Sequence, residues 1–373
     1  MSEHGGTGPG PGQHGVGQHE VGQHGLGIVG GGVIGAFHAQ AAAMVPGARL
    51  VAVTDVLPDR AKAFAAEHGC AAESSLGDLL SRDDIDVVSV CVPSGLHAEV
   101  GIQVAAAGKH LVIEKPIDVS LDAADRLIGA ATSAGITMTV ISQHRFDPGL
   151  IELRRLIDDG ALGRLLLGQA ATKWYRSQSY YDSAAWRGTW SLDGGALMNQ
   201  GIHYADLLCW CMGPAVEVIA VTATQAHDME AEDCALAIVR FASGAAGTLT
   251  ASTAVFPGFA QRLEISGTGG TVIIEDSVIT YRGFRGDLPD QGMTGSSVLT
   301  GATVPAVAAS AADLEVAAHA AQLADLLAAL DEGREPQVTA ADGRAALELV
   351  CAVYESARAG RPVTLPMRAD GAR

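Results

Sequence analysis

Three glycines in the spacing G-x-G-x-x-G, Gly30, Gly32 and Gly35, constrain this chain more than any other feature. They follow directly on a short apolar run, LGIVG at 26–30, and open an Ala-rich stretch of helical character at 36–45. A second apolar run, LVAVTD at 50–55, closes on Asp55, twenty residues after Gly35. Strand, tight turn, helix, strand and acid in this order predict a βαβ unit built to hold a dinucleotide. Gly30 permits the turn, Gly32 lets a pyrophosphate approach the backbone, and Gly35 lets helix and strand touch. The helix N-terminus, with Val33 and Ile34 in its first turn, supplies free amides and a partial positive charge. Asp55 would accept hydrogen bonds from ribose hydroxyls and repel a 2′-phosphate, which favours NAD over NADP. Arg60, five residues on, reads as an exposed helical residue that could soften the preference.

The rest of the chain extends this unit. Apolar runs at 86–93, 110–116 and 136–142 alternate with amphipathic segments at 58–68, 96–107 and 120–134. Continuous apolar strands separated by helices predict a parallel sheet covered on both faces, so residues 26–145 read as an α/β, doubly wound Rossmann domain. After a helix at 148–159 the character changes to runs rich in Val, Ile and Thr at 165–175, 216–225, 234–241, 246–254, 260–267 and 271–281. Residues 146–373 therefore read as an α+β domain with a large, mostly antiparallel sheet, for substrate binding and oligomerisation. Its remaining parts are a Gly-, Ser- and Thr-rich loop at 285–309, helices at 312–332 and 340–358, and a closing strand at 363–366. A length of 373 residues suits two such domains, since single cores stop growing at about 250 to 300 residues.

Composition narrows the partners. A formal charge of −18 with no basic stripe argues against nucleic acid and anionic membrane, and no apolar run reaches the roughly 18 residues of a membrane span. The six cysteines are scattered, and Cys209 and Cys211 have neither redox nor zinc spacing, so free thiols in a reducing cytoplasm are expected and no metal site is read from them. Residues 1–25 lack the order of a signal peptide. Their repeat, GQHGV, GQHEV, GQHGL, predicts a disordered tail whose His14, His19 and His24 could chelate a metal only weakly.

Three further segments resemble the glucose-fructose oxidoreductase / inositol dehydrogenase family, and the likeness runs over 26–366. They are VPSGLHAEV (92–100), GKHLVIEKP (108–116) and GGALMNQGIHYADLLCWCMG (194–213). The resemblance implies that Pro93, Ser94 and His97 approach the nicotinamide half of the cofactor. It also implies that Glu114-Lys115-Pro116 brings Lys115 to the substrate hydroxyl and cofactor ribose, and that the third segment presents His203 and a nearby acid, Asp206, to the substrate. The residues themselves agree: Lys115 stands at the carboxyl end of a predicted parallel strand, where open α/β sheets place ligands. Asn199, His203 and Asp206 fall on one face of a helix by spacing. In the inositol dehydrogenase pattern an aspartate stands four residues before the histidine, whereas here Asn199 does. An amide can orient an imidazole but cannot share its proton. LMNQGIH with YRSQSYYDSAAWRGTW (175–190) resembles members that oxidise the 3-hydroxyl of pyranoses and UDP-linked amino sugars.

Arg145, Lys173, Tyr175, Arg176, Trp186, Arg187 and Trp190 would then offer cations and ring faces to a sugar, although the tryptophans could equally anchor a loop. The expected activity is NAD-dependent oxidation of a sugar or cyclitol hydroxyl to a ketone, with His203 as general base and Lys115 as its electrostatic partner. A reductase of a ketosugar or anhydrosugar is the reverse reading. A non-catalytic NAD-binding sensor would be expected to lack Lys115 or His203. The broad second sheet predicts a homodimer or homotetramer.

Overall fold

The computed structural model describes residues 23–287 and 311–367. Six parallel strands form the first sheet: β1 (His24–Val29), β2 (Ala48–Thr54), β3 (Ala71–Glu73), β4 (Val87–Val90), β5 (His110–Ile113) and β6 (Met138–Val140), in the order β3-β2-β1-β4-β5-β6. Their connections are α1 (Val33–Met44), α2 (Pro58–His68), α3 (Leu76–Leu80), α4 (His97–Ala106) and α5 (Leu121–Ala134). That order reverses between β1 and β4, so the strand ends there open a crevice for a dinucleotide. Ile28, Val53, Val88, Leu111 and Ile113 are fully buried, which is why these strands carry unbroken apolar runs.

The second half adds α6 (Pro148–Asp158), β7 (Leu165–Lys173), α7 (Gln178–Asp182), α8 (Ile202–Met212), and strands β8 (Ala215–Ala223), β9 (Cys234–Phe241), β10 (Ala246–Ser252), β11 (Arg262–Gly267), β12 (Gly270–Glu275) and β13 (Val278–Phe284). Helices α9 (Ala311–Glu332) and α10 (Ala340–Ala359) and a short β14 (Val363–Thr364) complete it. Eight strands lie in the order β13-β12-β11-β7-β10-β9-β8-β14. Every named pairing is antiparallel except β10 with β7, so the expected mostly antiparallel sheet is found. Along β9 burial alternates residue by residue, with Leu236 and Ile238 exposed and Ala237 and Val239 buried. One face of the sheet thus rests on α8 and α10, and the other presents Ile219, Val221, Leu236 and Ile238 outward.

Several expectations need correction. The first strand begins at His24, not Leu26, and His24 Nε2 lies 3.0 Å from Asp331, so this histidine is part of the fold and not of a tail. The stretch read as one strand at 271–281 is the hairpin β12–β13: Asp276 and Ser277 take positive φ, the local signature of a tight turn. Strand β3 escapes the sequence reading because three residues are too few for periodicity to register. Helix α9 follows the second sheet in sequence yet packs on the first, its Ala320, Leu323, Leu326 and Leu327 clustering with Leu26, Val87, Val112 and Ile141. The repeats before residue 23 and nearly all of the 285–309 loop lie outside the described residues. None of the helices described is long and apolar enough to cross a membrane.

Candidate functional site

The turn after β1 has the geometry a pyrophosphate needs. A Cβ on Gly30, at φ 103°, would fall 2.4 Å from the Cys91 carbonyl oxygen, and one on Gly35 2.2 Å from that of Gly30. At Gly32 nothing lies within 4 Å of that position, so the space over the turn is open. Val33 and Ile34 are exposed beside it at the α1 N-terminus. Asp55 Oδ2 accepts from Gly31 N at 2.8 Å and Oδ1 from Leu57 N at 2.8 Å, tying the acid to the glycine turn. Arg60, exposed on α2 as expected, also grips Asp55 with two bonds of 2.7 Å. Burial works against the charge of Asp55, but Arg60 and the two amides hold its carboxyl below the usual range. A dinucleotide fits this turn.

Glu114, Lys115 and the cis peptide to Pro116 follow β5. The Lys115 ammonium donates to the Asn199 backbone oxygen at 3.0 Å and to Asn199 Oδ1 at 3.3 Å. Asn199 in turn donates from Nδ2 to Asp193 Oδ1, and Asp193 Oδ2 accepts from Gly188 N at 2.8 Å. Asn199 therefore serves the lysine, whereas sequence spacing had paired it with the histidine. The reason is local: residues 197–201 form a π-helical turn ahead of α8, which rotates Asn199 out of the simple four-residue register with His203. Glu232, buried beneath the turn, accepts from Leu197 N at 2.8 Å and from the Tyr354 hydroxyl at 3.0 Å, and burial pushes its carboxyl up to about 7.

His203 leads α8 and shares with Lys115 a cavity of about 10 Å³, also lined by Ser142, Ile202 and Asp206. Burial, then the Lys115 cation, then His144 push its imidazole well below the ordinary value, so it is neutral near pH 7. His144 stands edge-on to it with ring centroids 5.0 Å apart, and its own Nδ1 lies 2.7 Å from Asp147.

Other expected residues also have partners within the fold. His97 is buried, its Nδ1 2.7 Å from the Pro116 oxygen and Nε2 2.9 Å from that of Val92, so it braces the Lys115 loop. Pro93 and Ser94 begin the short turn ahead of it, which meets the second half where Gly95 N donates to Leu192 O at 3.1 Å. Arg145 and Asp206, both expected at the substrate, hold each other in a buried bidentate pair at 2.8 and 2.5 Å, with Asp342 at 3.0 Å from the same guanidinium. Trp186 stacks on Arg187, which also covers Tyr180, and Trp190 meets Tyr354 edge-on. Lys173 lies over Phe259, and Tyr175 meets Phe256 edge-on. Both stand at the end of β7, beside a recess of about 350 Å³ lined by Trp174, Tyr175, Arg176 and Phe259.

Sequence reasoning missed Asp193, His144 and Glu232. Asp193 and Glu232 carried a usable signal, an acid beside a glycine pair and an acid pair before a strand, but only tertiary contact gives either a purpose. His144 follows β6, a strand end the parallel-sheet rule already marks as ligand territory.

Arg145→Met leaves Asp206 charged and buried without its partner. It should lower unfolding free energy by about 3 to 5 kcal/mol in denaturant titration, and adding Asp206→Leu should recover most of that loss. Equal stability of Arg145→Met and parent would show that the pair does not hold α8.

Comparison with known proteins gives this geometry a context. Residues 25–142 match the oxidoreductase family with an NAD-binding Rossmann fold, and 150–273 match the GFO/IDH/MocA C-terminal domain. An uncharacterized oxidoreductase of Bacillus subtilis is 30% identical over 248 residues, 64% of this chain and 70% of that protein. Inositol 2-dehydrogenase of Rhizobium meliloti is 28% identical over 342 residues, 88% of this chain and 95% of that one. Among solved structures, the WlbA dehydrogenase from Bordetella pertussis in complex with NADH and UDP-GlcNAcA superimposes with a TM-score of 0.82 at 32% identity, covering 93% of this chain and 99% of that one. Continuous agreement across both sheets, with the glycine turn and the Glu114-Lys115-Pro116 segment in place, means that this chain belongs to the GFO/IDH/MocA family of NAD-binding oxidoreductases.

Proposed function

We propose that the protein oxidises a secondary hydroxyl of a sugar, sugar derivative or cyclitol to a ketone. The observation that carries this reading is the pairing of a cationic Lys115 with a neutral, half-buried His203 around one small cavity. NAD, held by the turn at Gly30–Gly35 and by Asp55, would take the hydride. For the carbon to release hydride its hydroxyl must shed a proton, and a ring nitrogen of His203 is the group free to take it. The Lys115 ammonium, aimed by Asn199, stabilises negative charge growing on the same oxygen. Asp193 fixes the Asn199 amide with its oxygen toward the lysine, so it acts as a positioning residue. The likeness to a dehydrogenase solved with UDP-GlcNAcA supports a nucleotide-linked sugar among the candidates. The Trp174, Tyr175 and Arg176 recess, with Lys173 beside it, offers the ring faces and cations such a substrate would use.

Turnover with NAD and a panel of pyranoses, inositols and UDP-sugars tests the activity. His203→Ala and Lys115→Ala should each lower turnover about 100- to 10,000-fold with NAD affinity little changed. Asn199→Asp sets a carboxylate against the Lys115 ammonium, offsetting the cation that disfavours imidazolium, and so raises the affinity of His203 for a proton. The base must be neutral to act, so the acid limb of the rate profile should move to higher pH. Near-parental turnover of His203→Ala, with Lys115→Ala inactive, would make lysine the base.

Asp55→Ala removes the ribose acceptor and releases Arg60 toward a 2′-phosphate. NAD binding should weaken by about 10- to 100-fold while NADP binding improves. Unchanged NAD affinity with continued rejection of NADP would remove Asp55 from the cofactor site.

Assembly follows from the outer face of the second sheet, where Ile219, Val221, Leu236 and Ile238 stand 46 to 64% exposed. A second copy should cover it through a closed symmetric interface, giving a dimer or tetramer. Light scattering that finds only a 38.1 kDa monomer at micromolar concentration would overturn this.

A further inference from the structure

His38 from α1, Glu114 from the end of β5 and His319 from α9 converge in the interior, each no more than 6% exposed. None touches the hydroxyl chemistry assigned above. His38 Nε2 lies 2.9 Å from Glu114 Oε1, and His319 Nε2 lies 3.5 Å from the same oxygen. The ionised carboxylate can only accept, so His38 Nε2–H donates to it, and on the far side His38 Nδ1 is 3.1 Å from the Ser89 hydroxyl of β4. Glu114 Oε2 accepts from Lys115 N at 3.0 Å. One carboxylate therefore ties together the helix that opens the cofactor turn, the helix α9 laid across the sheet, and the backbone of the site lysine.

The charge state follows from these contacts. Burial alone would neutralise Glu114, but His319 and His38 hold its carboxyl well below the usual range, so it stays ionised. A buried charge needs compensation, which His38 and His319 supply one residue along the chain from Lys115 and its ammonium. A divalent metal among the three side chains would instead add two positive charges beside that ammonium. The adjoining cavity, about 10 Å³ and lined by His38, Ala41, Val112, Thr139, His319 and Gln322, holds about one water. The Gln322 amide is already committed to Val140 O, Thr139 Oγ1 and Ser142 N. The groups facing or sensing the Glu114 charge are His38, His319, Ser89 and Lys115, then Cys91 and His97 after β4 and His203 on α8.

We propose that Glu114, gripped by His38 and His319, is an ionised positioning residue that fixes the Lys115 backbone and sets a negative charge behind the cavity Lys115 shares with His203. The inference rests on His203 being the base. Glu114→Gln preserves shape and removes the charge. A negative charge favours protonated His203, so its loss lowers that affinity and moves the acid limb of turnover to lower pH, by about half to one unit. Turnover should also fall, up to about 100-fold, because the lysine is less well placed. His319→Leu removes one imidazole while keeping the carboxylate, and should lose at least about tenfold in turnover. His319→Gln, which can still donate to Glu114, should recover part of it, as lost packing alone would not allow. The inference is overturned if Glu114→Gln leaves the acid limb in place, if the two His319 variants lose turnover equally, or if elemental analysis finds one equivalent of a transition metal that His319→Leu releases. Should Glu114→Gln not fold, the His319 pair decides. A parent enzyme with no acid limb, or an active His203→Ala, would sink the proposed base and with it the acid-limb effect, leaving the His319 pair to decide whether Glu114 positions Lys115.

Discussion

The Lys115 ammonium joins the two halves of the molecule at the point where chemistry is proposed. Its backbone leaves the first sheet at the end of β5, and its Nζ reaches the π-helical turn of the second half, bonding the Asn199 carbonyl and side-chain oxygens. Each end is independently braced: the backbone by Glu114 and by His97 behind Pro116, the turn by Asp193, Glu232 and Tyr354. A lysine side chain has about 2 kcal/mol of rotamer entropy to lose, so holding it in one pose requires acceptors that are themselves immobile. The buried carboxylates behind each end supply that rigidity.

Buried ion pairs do the same for His203. Helix α8 starts at the π turn and would be free to slide along the sheet were it not for Asp206, whose two oxygens take the Arg145 guanidinium. Arg145 also reaches Asp342, which belongs to the capping box at the start of α10. The cap of one helix thus fixes the arginine, the arginine fixes the aspartate, and the aspartate sets the height of the histidine one turn earlier. Pairs of this kind add little net stability but penalise every alternative packing that would leave one charge alone.

The dinucleotide half was legible because its demands are local. Gly30, Gly32, Gly35 and Asp55 lie in one continuous stretch whose spacing is set by a turn, a helix and a strand, and the structure brings the acid to the glycine turn through Gly31 N. The site that faces the substrate was legible only in part. Lys115 and His203 stood out by strand-end position and by family likeness, but helical spacing put Asn199 with His203, and a π turn moved it to Lys115. Arg145 and Asp206 lie 61 residues apart and look like two surface charges until the fold brings them together. Asp193 and His144 become part of the site only through long-range packing, for which neither period nor motif exists.

Charge balance explains why one lysine and one histidine can share so small a space. Two cations beside one cavity would repel, and the pair avoids this because His203 gives up its proton first: burial and the lysine both disfavour imidazolium. Carboxylates stand around the lysine at one remove, Glu114 at its backbone and Asp193 behind Asn199. The amide at Asn199 is what permits that distance. A carboxylate there would neutralise the ammonium directly and draw a proton onto the histidine, whereas an amide aims the ammonium without cancelling its charge.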